Sequence, residues 1–299
     1  MEYSFLGSTQ FKISRIGFGS MSIPADENEG LTLLHKAIDL GINYIDTADI
    51  YQNGASEVLV GKAIKGKRDS IVLATKVGNQ VRADGSGLDW NPTKKHILAG
   101  IEESLKRLQT DHVDLYQLHG GTIQDNIDES IEAFELLKQQ GKILYYGISS
   151  IRPNVIKEYL KRSSMVSVMM QYSLLDTRPE EECLDLLHKN NIAVLSRGSV
   201  AQGLLLDKPA KPYLEHSKVE VERAAAAVHS VSGSSRNAAQ TAIRYVLQHP
   251  GVTSAIIGMR TIQQLEDAVE TFNTPELSKE ELRVLKSSVK AIQYKDHRN

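Results

Sequence analysis

Four side chains of this 299-residue chain could together carry acid–base chemistry: Asp46, Tyr51, Lys76 and His119. Three of them interrupt or close apolar runs. Asp46 ends INYID, Lys76 stands near the end of SIVLATKV, and His119 ends VDLYQLH, while Tyr51 follows Asp46 in DTADIYQNG. A free phenol, with a pKa of about 10, is a poor proton donor and acceptor at neutral pH. An ammonium within hydrogen-bond reach favours the phenolate form. Here Lys76 could supply that ammonium, Asp46 could hold it in place and keep it charged, and His119 could hydrogen-bond a substrate oxygen. Taken singly, a lysine can merely neutralise a buried acid and a histidine can be a satisfied core residue. Together, at the same end of successive strands, the four argue for a site, because burying Lys and Asp is costly unless they pair. The set suits proton delivery to a carbonyl oxygen. Side chains cannot supply hydride, so a nicotinamide cofactor is implied.

The elements that must position these groups alternate along the chain. Residues 3–13 read as a small hairpin around Gly7-Ser8. RIGFGS, INYID, SIVLATKV, VDLYQLH, ILYYGIS, SVMMQYS, IAVLSRG and VTSAIIG then read as strands, each followed by a helical pattern such as EGLTLLHKAIDLG or DESIEAFELLKQQG. SKEELRVLKSSVKAI adds a terminal helix. Strands joined by crossover helices imply a parallel sheet, and apolar strands imply burial on both faces. Eight units predict an α/β fold of the (β/α)₈ TIM-barrel kind, with an N-terminal hairpin and an extra C-terminal helix, as one domain over residues 1–299. A doubly wound sheet competes, but GFGS at 17–20 lacks the GxGxxG spacing. Two long loops, 78–92 and about 199–234, fall after strands and so on the face where barrels place their chemistry; the second, with DKPAKPYLEH, AAAAV and SGSS, could carry a short helix and could order only around a ligand.

Composition narrows the function. Lys plus Arg is 35 and Asp plus Glu is 37, a net charge of −2 that offers no general field for nucleic acid or an anionic membrane. The single cysteine, Cys183, excludes an internal disulfide framework and is expected half-buried on a helix. The nine histidines form no HxH or HxxxH pattern, so no metal site is expected. With no basic-then-apolar leader and no membrane-length apolar run, the expectation is a cytoplasmic protein. A small-molecule carbonyl is the expected partner, and a protein partner stays open.

DTADIYQNGASEVLVGKAI, the LATK of the third strand, YQLH of the fourth, GISS of the fifth and IIGMRTIQQLED near the C-terminus resemble the aldo-keto reductase superfamily. The resemblance spans essentially the whole chain and is nearest the bacterial branch that also resembles potassium-channel β subunits. It implies a (β/α)₈ barrel, an extended NADPH (NADP+) cofactor bound without a Rossmann fold, and reversible carbonyl–alcohol reduction. The family's catalytic positions match Asp46, Tyr51, Lys76 and His119. By the same matching, Ser149 and Gln171 would bind the nicotinamide carboxamide, and Tyr172 would stand where an aromatic stacks on the ring. Gly19 and Ser20 would let the cofactor backbone approach, and Ser196, Arg197 and Gly198 would meet the pyrophosphate. Gly258 and Arg260 precede a helix whose N-terminus favours an anion. Arg260 would fork onto a 2′-phosphate, with Gln264 and Asp267 near the adenosine.

Three departures bear on the substrate. Ser150 stands where the family usually has Asn. Gly120 and Gly121 replace a common bulky aromatic after the histidine, which is expected to widen the pocket or loosen its backbone. LSRGSVAQGLL replaces the usual Pro-Leu after the seventh strand, and Trp90, the only tryptophan, lies in the 78–92 loop, where it could either cover the nicotinamide side of the pocket or simply pack the loop. A nicotinamide-binding regulatory or sensor module with little turnover is the alternative reading. A Schiff-base aldolase using Lys76 is disfavoured, because Asp46 would keep the amine protonated.

Overall fold

The computed structural model describes residues 1–82 and 84–298. Its chain opens with the expected hairpin, β1 (Tyr3–Phe5) paired antiparallel with β2 (Lys12–Ser14). The barrel then begins with β3 (Ile16–Gly19), β4 (Tyr44–Asp46) and β5 (Val72–Val77). A second hairpin, β6 (Asn79–Val81) with β7 (Leu88–Trp90), projects from the end of β5. The barrel continues through β8 (Val113–Leu118), β9 (Ile143–Ser149), β10 (Ser167–Gln171), β11 (Ala193–Arg197) and β12 (Ser254–Gly258). The eight strands pair in parallel in the order β3–β4–β5–β8–β9–β10–β11–β12, and β12 pairs with β3 to close the ring. The (β/α)₈ barrel with its N-terminal hairpin is therefore as the sequence predicts.

Helices α1 (Glu27–Asp39), α2 (Ala55–Ile64), α3 (Lys94–Leu108), α4 (Ile127–Gln139), α5 (Pro153–Arg162) and α6 (Cys183–Lys189) cover the outside. They are followed by α7 (Lys218–Val231), α8 (Ala238–Leu247), α9 (Ile262–Glu270) and α10 (Lys279–Ser288). Local chemistry sets their starts. The Asp26 side chain accepts from Glu29 N at 3.0 Å before α1, and Thr93 from His96 N at 3.3 Å before α3, each satisfying one of the free first-turn donors.

Alternation decides which strand residues face the barrel axis. Tyr44, Ala74, Leu115, Met169, Leu195 and Ile256 belong to one interior cluster, separate from the larger cluster between strands and helices. Two residues further along the same strands stand Asp46, Lys76, Gln117, Gln171, Arg197 and Gly258, the next inward layer at the C-terminal mouth. The opposite end is plugged by the first hairpin. Its Leu6 and Ile13 are fully buried in that interior cluster with Val166 and Ala193, where β10 and β11 begin.

The two long loops need correction. Residues 78–92, read as an irregular loop, contain the β6–β7 hairpin, with residue 83 outside the described residues. Within 199–234 lies the full helix α7, of 14 residues. Its signal is a capping box, in which Ser217 accepts from Glu220 N and Glu220 accepts from Ser217 N, followed by buried Val221, Ala224 and Val228 at helical spacing. Cys183 is buried outright, not half-buried, and burial pushes its thiol up to about 12, which makes it inert. Among the described residues no helix is long and apolar enough to cross a membrane, and no cluster of three metal-type ligands occurs.

Candidate active site

At the mouth, Lys76 is fully buried and points inward from β5. Its Nζ donates to Asp46 Oδ2 at 2.6 Å, to the Thr47 carbonyl at 2.7 Å and to the Tyr51 hydroxyl at 3.3 Å. The three donors of the ammonium are thus fully used, and its charge lies beside the phenol oxygen. Burial pulls the Lys76 pKa down, but Asp46 and then Tyr51 outweigh that, leaving it above its ordinary value. Burial raises the Asp46 carboxyl above its usual range, against the pull of Lys76 and of Gln117. Gln117 is a residue the sequence reading missed: its Nε2 donates to Asp46 Oδ1 at 3.2 Å. Its signal was present, since a glutamine in VDLYQLH falls on the same inward parity as Leu115 and His119.

Tyr51 opens a short turn, Tyr51–Gly54, in which Gln52, Asn53 and Gly54 all take left-handed backbone angles. Asn tolerates that region; at Gly54 the φ of +88° favours glycine, and a Cβ there would also press on the Arg107 side chain, 2.8 Å from its Cδ. The turn is tied down by Gln52 Nε2, which donates to the Ile23 carbonyl at 2.8 Å. His119 meets the Tyr51 ring edge-on at 5.8 Å between centroids. Burial, then the Lys76 and Arg197 charges, push its pKa down to about 3, so the imidazole is neutral at working pH. Its Nδ1 is buried without a partner among the described residues.

Behind this set lies a second buried acid pair that sequence reasoning did not single out. Glu57 is fully buried, accepts from Thr75 Oγ1 at 2.5 Å and pairs with Arg107 Nε at 2.7 Å. Asp49 has a buried Oδ1 without a partner, and burial followed by the Glu57 charge raises its pKa from 3.8 to about 7. A carboxyl that holds its proton more tightly folded than unfolded weakens the fold as pH rises between the two values. The penalty is absent near pH 4 and reaches about 4 kcal/mol above pH 7. Thermal melts across that range therefore should show Asp49→Asn gaining stability over the parent above pH 7, with the gain vanishing at acid pH. A constant offset at all pH values would contradict the assignment.

The proposed cofactor positions separate into two sets. Gln171 and Arg197 pair across β10 and β11 and face the mouth; Arg197 Nη1 donates to Gln171 Oε1 at 2.9 Å, and Gln171 Nε2 donates to the Tyr213 hydroxyl at 2.9 Å. Tyr213 was not anticipated, because it comes from the loop after β11. Ser149 ends β9 half-buried, and Gly198 packs its backbone beside Gln171. Gly258 and Arg260 are exposed before α9, whose first turn Thr261 caps, and Gln264 Oε1 accepts from Arg260 N at 2.9 Å. Asp267 accepts from Asn237 Nδ2 at 2.9 Å.

The second set faces elsewhere. Tyr172, expected near the ring, is turned into the layer between barrel and helices: it is buried, donates to Glu180 Oε1 at 2.8 Å and packs on Tyr245 and His249. The reason is parity, since Gln171 points inward and its neighbour must point out. Ser196 is likewise buried outward, with its hydroxyl toward the Ser254 carbonyl at 3.5 Å. Ser20 is buried against Ser56 Oγ at 2.7 Å. Gly19, by contrast, belongs with the mouth layer: it stands in register with Asp46 and Gly258, and a Cβ there would lie 3.3 Å from the Ile257 carbonyl oxygen.

Comparison with known proteins points the same way as this geometry. Residues 15–290 match the model of the aldo/keto reductase family. The chain is 48% identical to an uncharacterized oxidoreductase, YqkF, of Bacillus subtilis, covering 98% of both proteins. It is 32% identical to the aldo-keto reductase YhdN of the same organism, over 89% of this chain and 87% of that one. The solved holo form of aldo-keto reductase AKR11C1 from Bacillus halodurans superposes with a TM-score of 0.93 at 45% identity over the whole of both chains.

Proposed function

The chain belongs to the aldo/keto reductase family, and from that premise we propose that it is an NADPH-dependent oxidoreductase reducing aldehydes or ketones to alcohols. The observation that carries this reading is the Lys76 ammonium, held by Asp46 and Thr47 with its third donor on the Tyr51 phenol. The residues present suit a nicotinamide dinucleotide phosphate. Ser149 and Gln171 would take the carboxamide, Arg197 and Gly198 the pyrophosphate, and Arg260 the 2′-phosphate. In support, the exposed Arg260 guanidinium pairs with no acid among the described residues and stands at the N-terminus of α9, where an anion is favoured.

When bound, the reduced nicotinamide supplies the hydride. Tyr51 passes its phenol proton to the carbonyl oxygen, and the charge left on the tyrosine oxygen develops 3.3 Å from Lys76 Nζ, so the cation is already in place. Neutral His119 donates an N–H to the same carbonyl oxygen and orients it, and its low pKa removes it as a competing acid. Asp46 holds Lys76 and does not itself transfer the proton.

The test is NADPH oxidation by purified protein over a panel of aldehydes and ketones. Tight NADPH binding with no turnover anywhere on the panel overturns the reductase reading in favour of a sensor. Cofactor preference is tested at Arg260. Arg260→Ala should raise the KM for NADPH roughly 10- to 100-fold, the worth of a hydrogen bond to a charged group, and leave that for NADH unchanged. An equal effect on both cofactors would place the 2′-phosphate elsewhere.

A further inference from the structure

Trp90, the chain's only tryptophan, ends β7 and lies on the backbone of two glycines that follow the strands bearing Lys76 and His119. A Cβ on Gly78 would come 2.8 Å from Trp90 Cζ3, and one on Gly120 would come 3.0 Å from the same atom. Both glycines also hold left-handed backbone angles, with φ of +123° at Gly78 and +147° at Gly120. A side chain at either position would therefore displace the indole and strain the backbone.

The far edge of the ring is fixed. Trp90 Nε1 donates to both carboxylate oxygens of Asp125, at 3.1 and 3.0 Å. Asp125 in turn accepts from Thr122 N at 2.7 Å and from Thr122 Oγ1 at 2.8 Å, which anchors it to the turn after Gly121. Neighbouring bonds draw the loops together at this place. Asn79 Nδ2 donates to the His119 carbonyl at 3.2 Å, and Arg152, from the loop after β9, donates to the Gly121 carbonyl. Loops following three different strands are thus tied together beside His119, and two of them meet the indole.

We propose that Trp90 is the side wall of the carbonyl pocket, delivered from the β6–β7 hairpin into the volume left by Gly78 and Gly120, and that Asp125 is the positioning residue that latches it. This rests on the carbonyl-reductase reading. It reverses the expectation that Gly120 and Gly121 widen the pocket: the bulk absent after His119 is supplied from another loop. A rigid flat wall next to the carbonyl-orienting histidine admits a carbonyl bearing a narrow, unbranched apolar substituent. It rejects one branched at the carbon adjoining the carbonyl, because the extra methyl groups meet the indole face.

The experiment compares kcat/KM for butanal and for pivalaldehyde in the parent, Trp90→Ala, Asp125→Ala and Asp125→Asn. Trp90→Ala should raise the branched-to-linear ratio by about 10- to 100-fold, the range over which a pocket discriminates small apolar groups. Asp125→Ala should move the ratio the same way and shift the tryptophan emission to the red with greater acrylamide quenching. Asp125→Asn keeps an acceptor for the indole N–H and should restore both readouts. A parental ratio in an active Trp90→Ala protein overturns the wall, and unchanged emission in Asp125→Ala overturns the latch. If the parent reduces neither of these aldehydes nor any other carbonyl of the panel, the carbonyl reading itself fails. The wall is then read by energy transfer from Trp90 to bound NADPH, strong quenching supporting it and none refuting it.

Discussion

Replacing Tyr51 with phenylalanine should lower carbonyl turnover by about 10²- to 10⁴-fold, the range ascribed to a positioned proton donor. The substitution removes one oxygen and keeps the ring. The edge-on contact with His119 therefore persists, as does the backbone turn held by Gln52 and Gly54. Lys76 loses one of three acceptors but keeps Asp46 and the Thr47 carbonyl. Folding stability and NADPH affinity, followed by thermal melts and by cofactor fluorescence, should stay near the parent values. Turnover at the parental rate with cofactor binding intact would remove Tyr51 from the mechanism. Loss of binding together with turnover would point to a structural role for the hydroxyl instead.

Lys76→Met should cost both activity and folding. Asp46 is 3% exposed and would keep only Gln117 as a side-chain partner. Removing one member of a buried ion pair typically destabilises by about 3–5 kcal/mol, because the remaining charge is neither solvated nor paired. The sign with pH follows. Burial already raises the Asp46 carboxyl, and without Lys76 nothing comparable opposes it. The folded state then binds a proton at Asp46 more readily than the unfolded state does. The deficit is accordingly largest at neutral and alkaline pH and shrinks as pH falls through the raised value. Adding Asp46→Asn to Lys76→Met should recover much of the stability and none of the activity. Equal destabilisation across pH, or a double variant no better than the single, would show that the pair is not the source.

These two residues also mark how far the chain could be read unaided. Lys76 was conspicuous because a charge in SIVLATKV has no bland place in a strand buried on both faces, and the structure indeed buries all six residues of β5. The same reasoning, applied with strict alternation, would have picked out Gln117 and turned Tyr172 away from the mouth. Those two misses came from reading strand ends as groups without assigning each residue a face. The full length of α7, where only a short helix was expected, was hidden differently. Its capping box stands in a segment rich in charge and alanine, after a run of Lys and Pro that reads as irregular.

By itself the sequence determined the alternation of strands and helices, the barrel, and the four polar groups at its mouth, because these follow from local periodicity and from charges that apolar strands cannot hide. Only the tertiary structure decided what surrounds them. Gln171 meets Tyr213 across 42 positions, Trp90 meets Asp125 across 35, and Arg107 meets Glu57 across 50. Such contacts depend on where loops from different strands converge, and no local pattern encodes that convergence. The glycines after His119 show the difference most plainly. In sequence both are missing bulk; in the folded chain Gly120, with Gly78, is the seat of an indole.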